Sequence, residues 1–115
     1  MAARSLVLCL TLVLGACGAG GDGPPQQSED LAADAGCMVC HTDTDTSDAP
    51  TLHGIWGTEA ELADGRSVTV DEEYVRRSIT EPSVDVVAGY GPTMPPVPLQ
   101  ESEVEQLVEW VRSLG

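Results

Sequence analysis

A small all-α domain of about three helices, gathered around a group that the chain itself binds, is what this 115-residue sequence predicts. Three observations predict it. Apolar residues recur at helical spacing within 28–35, 71–80 and 100–114. No alternating strand and helix pattern of the βαβ kind is visible. The aromatic supply is thin, with no Phe, two Trp and two Tyr, so a domain of this size needs a further staple to be stable.

That staple is encoded in Cys37-Met38-Val39-Cys40-His41. Two cysteines two residues apart, followed at once by histidine, form the attachment signature of c-type haem. Each thiol adds to one vinyl group of the porphyrin, and the spacer lets both sulfurs reach one edge of the ring. His41, next in sequence, comes under the ring and gives a nitrogen to the iron. Two other chemistries use a CxxC pair. A zinc site needs two further ligands, and beyond His41 only His53 and carboxylates remain. A thioredoxin-like redox pair sits near a βαβ pattern, which is missing here. One covalent haem c is the reading that the motif favours.

The formal net charge is −14, from 19 acidic residues against 5 Arg and no Lys. Nucleic acid is excluded as a partner, because its recognition needs a basic footprint. Haem propionates would add further negative charge. So acidic a surface fits redox partners with basic docking patches, or a simple need for solubility. Of the cysteines, Cys9 and Cys17 lie in the leader and Cys37 and Cys40 in the haem motif, leaving none for a structural disulfide.

Residues 1–16 read as a signal peptide of lipoprotein type. Arg4 and the amino terminus supply positive charge, and Leu6–Leu14 is an apolar run too short for a transmembrane helix, which needs roughly 20 apolar residues. Leu14-Gly15-Ala16-Cys17 resembles the bacterial lipobox, which implies cleavage before Cys17 and lipidation of that cysteine. The alternative is an ordinary signal peptide cut near Ala16 or Ala19. Either way the chain is exported, to the periplasm or the outer face of the cytoplasmic membrane. Residues 17–27 are then the lipidated cysteine and a flexible linker with a stiff Pro24-Pro25 step, and 28–115 is the folded domain.

Within that domain Ser28, Glu29 and Asp30 fit an N-cap and an acidic first turn. Leu31 and Ala35 share a face, and Gly36 can stop the helix in a left-handed conformation. Thr42–Ala49 is polar. Its Asp43, Asp45 and Asp48 raise the question of a calcium loop, but the glycine and terminal glutamate of that motif are missing, so a solvated loop is expected. Asp64-Gly65 between short apolar alternations signals a hairpin. Asp71 caps a helix to Thr80, with Val75 and Ile79 on one face and Pro82 ending it. Ser83–Pro98 is a Gly- and Pro-rich loop that carries Met94. Met1 leaves with the leader and Met38 lies inside the attachment spacer, so Met94 is left as the sixth iron ligand. In the terminal helix, Gln100–Leu114, Val104, Leu107, Val108, Val111 and Leu114 form one apolar stripe.

CxxCH, then Pro50-x-Leu52-x-Gly54-x-x-Gly57, then Met94-Pro95, resembles class I cytochrome c over residues 28–114. Residues 69–114, with Asp71–Ile79 and Tyr90-Gly91-x-x-Met94-Pro95, are most similar to the cytochrome c domain fused to subunit II of some bacterial haem–copper oxidases. The resemblance implies that the Pro50 carbonyl accepts a hydrogen bond from the second nitrogen of His41, orienting the metal-bound imidazole. It places Trp56 at the haem edge, near a propionate, or else in the core. His53 falls at the surface or close to a propionate, and Arg76 or Arg77 pairs with a propionate or with an acid. The first helix would cross the last near Leu31, with Trp110 in contact. That first helix is shorter than usual for the family and lacks the usual aromatic residue.

His41 and Met94 together would close both axial positions and leave no site for a substrate, which favours electron transfer over catalysis. His/Met ligation also raises the reduction potential. The expected protein is therefore a monohaem electron carrier of a respiratory chain, tethered by its lipid, and serving a terminal oxidase or a quinol-oxidising complex. Two other classes stay open: a haem sensor or peroxidase-like protein in which Met94 dissociates, and a structural haem subunit of a respiratory complex.

Overall fold

The computed structural model describes residues 26–115. The leader, Cys17 and the linker up to residue 25 lie outside the described residues. Among those described there are four helices and one two-stranded sheet, and none of the helices is long and apolar enough to cross a membrane.

Helix α1 spans Gln26–Asp34. It takes in Gln26 and Gln27, which the sequence assigns to the linker. Gln is a good helix former, and the Gln26 amide donates to Asp30 one turn on at 3.0 Å. Ser28 is thus not the cap of the helix but a buried residue within it, 5% exposed. The buried face is Ser28 and Ala32, not Leu31 and Ala35. Two small residues one turn apart let α1 lie close against the terminal helix, while Leu31 packs half-buried on the flank.

Gly36, at φ +80°, ends α1 and opens a single helical turn, α2, over Cys37–Cys40. The motif is therefore itself a helix, which makes four helices rather than the expected three. Strands β1 (Glu59–Glu61) and β2 (Ser67–Thr69) pair antiparallel, Glu59 opposite Thr69, around the Asp64-Gly65 turn. This hairpin is stitched to a later segment: Leu62 bridges Val87, and the Ala63 amide donates to the Val86 carbonyl at 2.8 Å.

Helix α3 (Glu72–Thr80) is capped by Asp71, whose carboxylate accepts from the Tyr74 amide at 2.9 Å. Helix α4 (Glu101–Ser113) starts with Glu103 reaching back to accept from the Gln100 amide at 2.7 Å. Its stripe of Val104, Leu107, Val108 and Val111 is buried, Trp110 with it, against Tyr74, Val75 and Ile79 of α3 and Ala32 of α1. Full burial of each aliphatic side chain stabilises the fold by roughly 1.5–3 kcal/mol before entropy is counted. The amides of Gly54 and Trp56 donate to Leu114 and Gly115 at 3.3 and 3.2 Å, so the segment after Pro50 is tied to the end of α4.

Candidate functional site: a cleft with two thiols at its rim

The elements enclose a cleft with about 1260 Å³ of empty space, part of it open to solvent. Cys37, Cys40 and His41 line it at the end of α2, with Pro50 and Leu52 from the following loop. Val75 and Ile79 of α3 and Leu107, Trp110 and Val111 of α4 add apolar wall. Tyr90, Met94 and Val97 line it from the Pro-rich loop. His41 and Met94, 53 residues apart in the chain, thus border one cavity.

His41 follows directly on α2 and its amide still donates to the Cys37 carbonyl at 3.0 Å. Its Nδ1 lies 2.7 Å from the Pro50 carbonyl oxygen. A carbonyl can only accept, so Nδ1 carries the proton and Nε2 keeps its lone pair. The ring is thereby held in the tautomer that a metal needs. Cys37 is half-buried and Cys40 exposed, and both thiols are free. Burial pushes the Cys37 thiol up, partly offset by a backbone hydrogen bond that lowers it.

Met94 is half-buried. Around it Pro92, Pro95, Pro96 and Pro98 lack amide protons, and residues 91–99 carry one backbone hydrogen bond among themselves, Thr93 to Gly91 at 2.8 Å. The loop keeps its shape by fixed φ angles more than by bonds.

Trp56 is not part of the cleft lining. It packs against the margin of the core, with the Arg112 guanidinium 4.6 Å above its ring. The aromatic residues that do reach the cleft are Tyr74, Tyr90 and Trp110. Tyr90 had a signal in its Tyr-Gly-x-x-Met-Pro setting, and Trp110 in its place beside the α4 stripe. His53 is exposed, 3.5 Å from Asp43, and borders a second hollow that His41 also lines. In the polar loop Asp45 accepts from the Thr51 amide at 2.8 Å. Among the described residues no group of three or more His, Cys, Asp or Glu gathers as a metal site. Arg76 and Arg77 both pair with acids: Arg76 with Glu101 and Glu72, Arg77 with Asp85 and Glu73.

Sequence reasoning missed Asp85. Its side chain is wholly buried at the cleft wall and is bonded by Arg77 Nε at 2.5 Å and an Arg66 amino group at 2.8 Å. Burial alone would raise its pKa, but the two guanidiniums outweigh burial and hold the carboxyl below its ordinary range.

These residues suit a haem: two thiols at one rim, an imidazole with Nε2 available, and apolar walls. Trp110 Nε1 is a further donor, buried and without a partner among the described residues. Such a site defines a protein with one covalently attached haem. Residues 26–115 match the family described as Cytochrome c, and the chain belongs to that family. Among solved structures it is similar to cytochrome cH from Methylobacterium extorquens, with 20% identity and a TM-score of 0.57, over 79% of this chain and 99% of that one. At that identity the likeness concerns the fold alone. No curated protein matches the sequence. The fold is thus the small cytochrome c fold with a two-stranded hairpin, the cofactor is covalent haem c, and the protein is an electron carrier that works with redox partner proteins.

Proposed function

We propose that the chain is a membrane-tethered, monohaem electron carrier of a respiratory chain. Cys37 and Cys40 would hold the haem covalently as thioethers, and His41 and Met94 would ligate its iron. The observation that carries this reading is the cleft bordered by both His41 and Met94, with His41 Nδ1 occupied by the Pro50 carbonyl and Nε2 left to bind. The bound haem supplies an iron that exchanges single electrons between two oxidation states.

The chain's own residues supply the rest. Pro50 orients the imidazole. Val75, Ile79, Leu107 and Val111 line the cleft and would exclude water from the bound haem, which with a thioether ligand would favour a high potential. Cys40 and Val39, the latter 81% exposed, leave one rim open for electron exchange. Cys17 carries the lipid, and the basic patches of a terminal oxidase or a quinol-oxidising complex would meet the acidic surface. The likeness of residues 69–114 to an oxidase-fused domain supports the first of these partners.

Mass spectrometry of the protein purified from a bacterial host that matures c-type cytochromes tests the reading. The expected mass is the chain from Cys17 plus one haem plus lipid, recovered in the membrane fraction. A haem-loaded chain without lipid would remove the tether, and a haem-free chain would remove the electron carrier.

A further inference from the structure

Met94 stands on a loop that holds itself with one hydrogen bond, so its position depends on the stems from which the loop rises. The later stem is Gln100, fixed by Glu103 at the start of α4. The earlier stem is residues 84–90, and it is bound far more heavily. The Val84 amide donates to Glu81 at 3.0 Å, Ala63 donates to Val86 at 2.8 Å, Ala88 donates to Glu61 at 2.8 Å, and Tyr90 donates to Val87 at 3.1 Å. In the middle of this stem lies Asp85, its carboxylate wholly buried. One oxygen is bonded by Arg66, next to β2 of the hairpin, and the other by Arg77, in the last turn of α3.

We propose that Asp85 is a positioning residue for Met94: it clamps hairpin, α3 and loop stem together, so that the methionine is presented to the cleft in one place. The proposal rests on the reading of Met94 as the sixth ligand. A buried carboxylate held by two partly exposed guanidiniums adds little net stability compared with an apolar group of the same shape. What it adds is direction, because two charge-assisted hydrogen bonds from separate elements fix where a backbone lies. The hairpin gains a purpose by the same argument. It lines little of the cleft itself, yet it carries Arg66 and the backbone partners of the stem.

The test is a titration of the oxidised, haem-loaded protein with imidazole, which must displace Met94 to bind. Its apparent affinity therefore scales with the fraction of molecules in which the methionine is away. Asp85→Asn keeps the shape and loses the charge, and should raise imidazole affinity by about tenfold. Arg66→Gln removes one arm from a half-exposed position and should act in the same direction by about threefold, which keeps the test open if the first variant folds poorly. Arg112→Gln breaks a pair with Glu72 between α4 and α3, at the end of α4 away from the loop; it should lower the melting temperature with less than about a twofold change in affinity. Wild-type affinity in both Asp85→Asn and Arg66→Gln would overturn the clamp. Equal rises in Arg112→Gln would overturn it too, by showing a general loosening. Absence of a thioether–iron absorption band in the wild type would overturn the Met94 assignment, and the clamp with it.

Discussion

The segment that carries His41 and the segment that carries Met94 are held in different ways. His41 follows the second cysteine directly, and the group that orients its ring, the Pro50 carbonyl, is nine residues away. Met94 receives its position from Arg66, Arg77 and the hairpin, through contacts such as Arg66 to Asp85, 19 residues apart. Of the two proposed ligands, one is placed by a short local motif and the other by tertiary structure. The local arrangement ties the imidazole to the same turn that would hold the porphyrin. The non-local one leaves the sulfur free to answer to the stability of distant elements.

The largest predicted effect breaks the local side. Replacing Cys37 and Cys40 together by Ser should abolish covalent haem, read as loss of haem mass and colour in the exported protein, and the apoprotein should fail to melt cooperatively, because so small a domain leans on its staple. Next in size is Met94→Ala. Haem should stay attached while the sixth position opens, carbon monoxide should bind the reduced protein rapidly, and the potential should fall by a fraction of the roughly 0.8 V that axial ligands span. Rapid carbon monoxide binding by the wild type would instead favour a sensor or peroxidase-like role.

The smallest effect sharpens the contrast through acid. The folded pKa of Asp85 lies below its ordinary 3.8. Its stabilising contribution is thus fully present above the unfolded value and is lost as pH falls through the folded one. Acid should release Met94 before it disturbs the thioethers, and Asp85→Asn should flatten the part of the stability curve just below about pH 4. Absorption spectra recorded along an acid titration of both proteins check this.

The same division explains what the sequence made legible. CxxCH, the Asp71 cap, the Gly36 stop, the Asp64-Gly65 turn and the α4 stripe are local signals, and each has a matching element. The buried face of α1 was not legible, since Ser28 and Ala32 bury by being small rather than apolar. Nor was Asp85, because an acidic residue in a loop reads as solvated until two arginines from other elements are seen to close on it. For Trp56 the sequence leaves haem edge and core equally open, and its ring packs at the margin of the core under Arg112 at the end of α4.

The account stands or falls on the sixth position. In the oxidised, exported protein a thioether–iron absorption band should be present, should vanish in Met94→Ala, and should persist in Met38→Leu, whose methionine lies in the attachment turn and is 43% exposed. A band absent from the wild type, or kept in Met94→Ala, would contradict it.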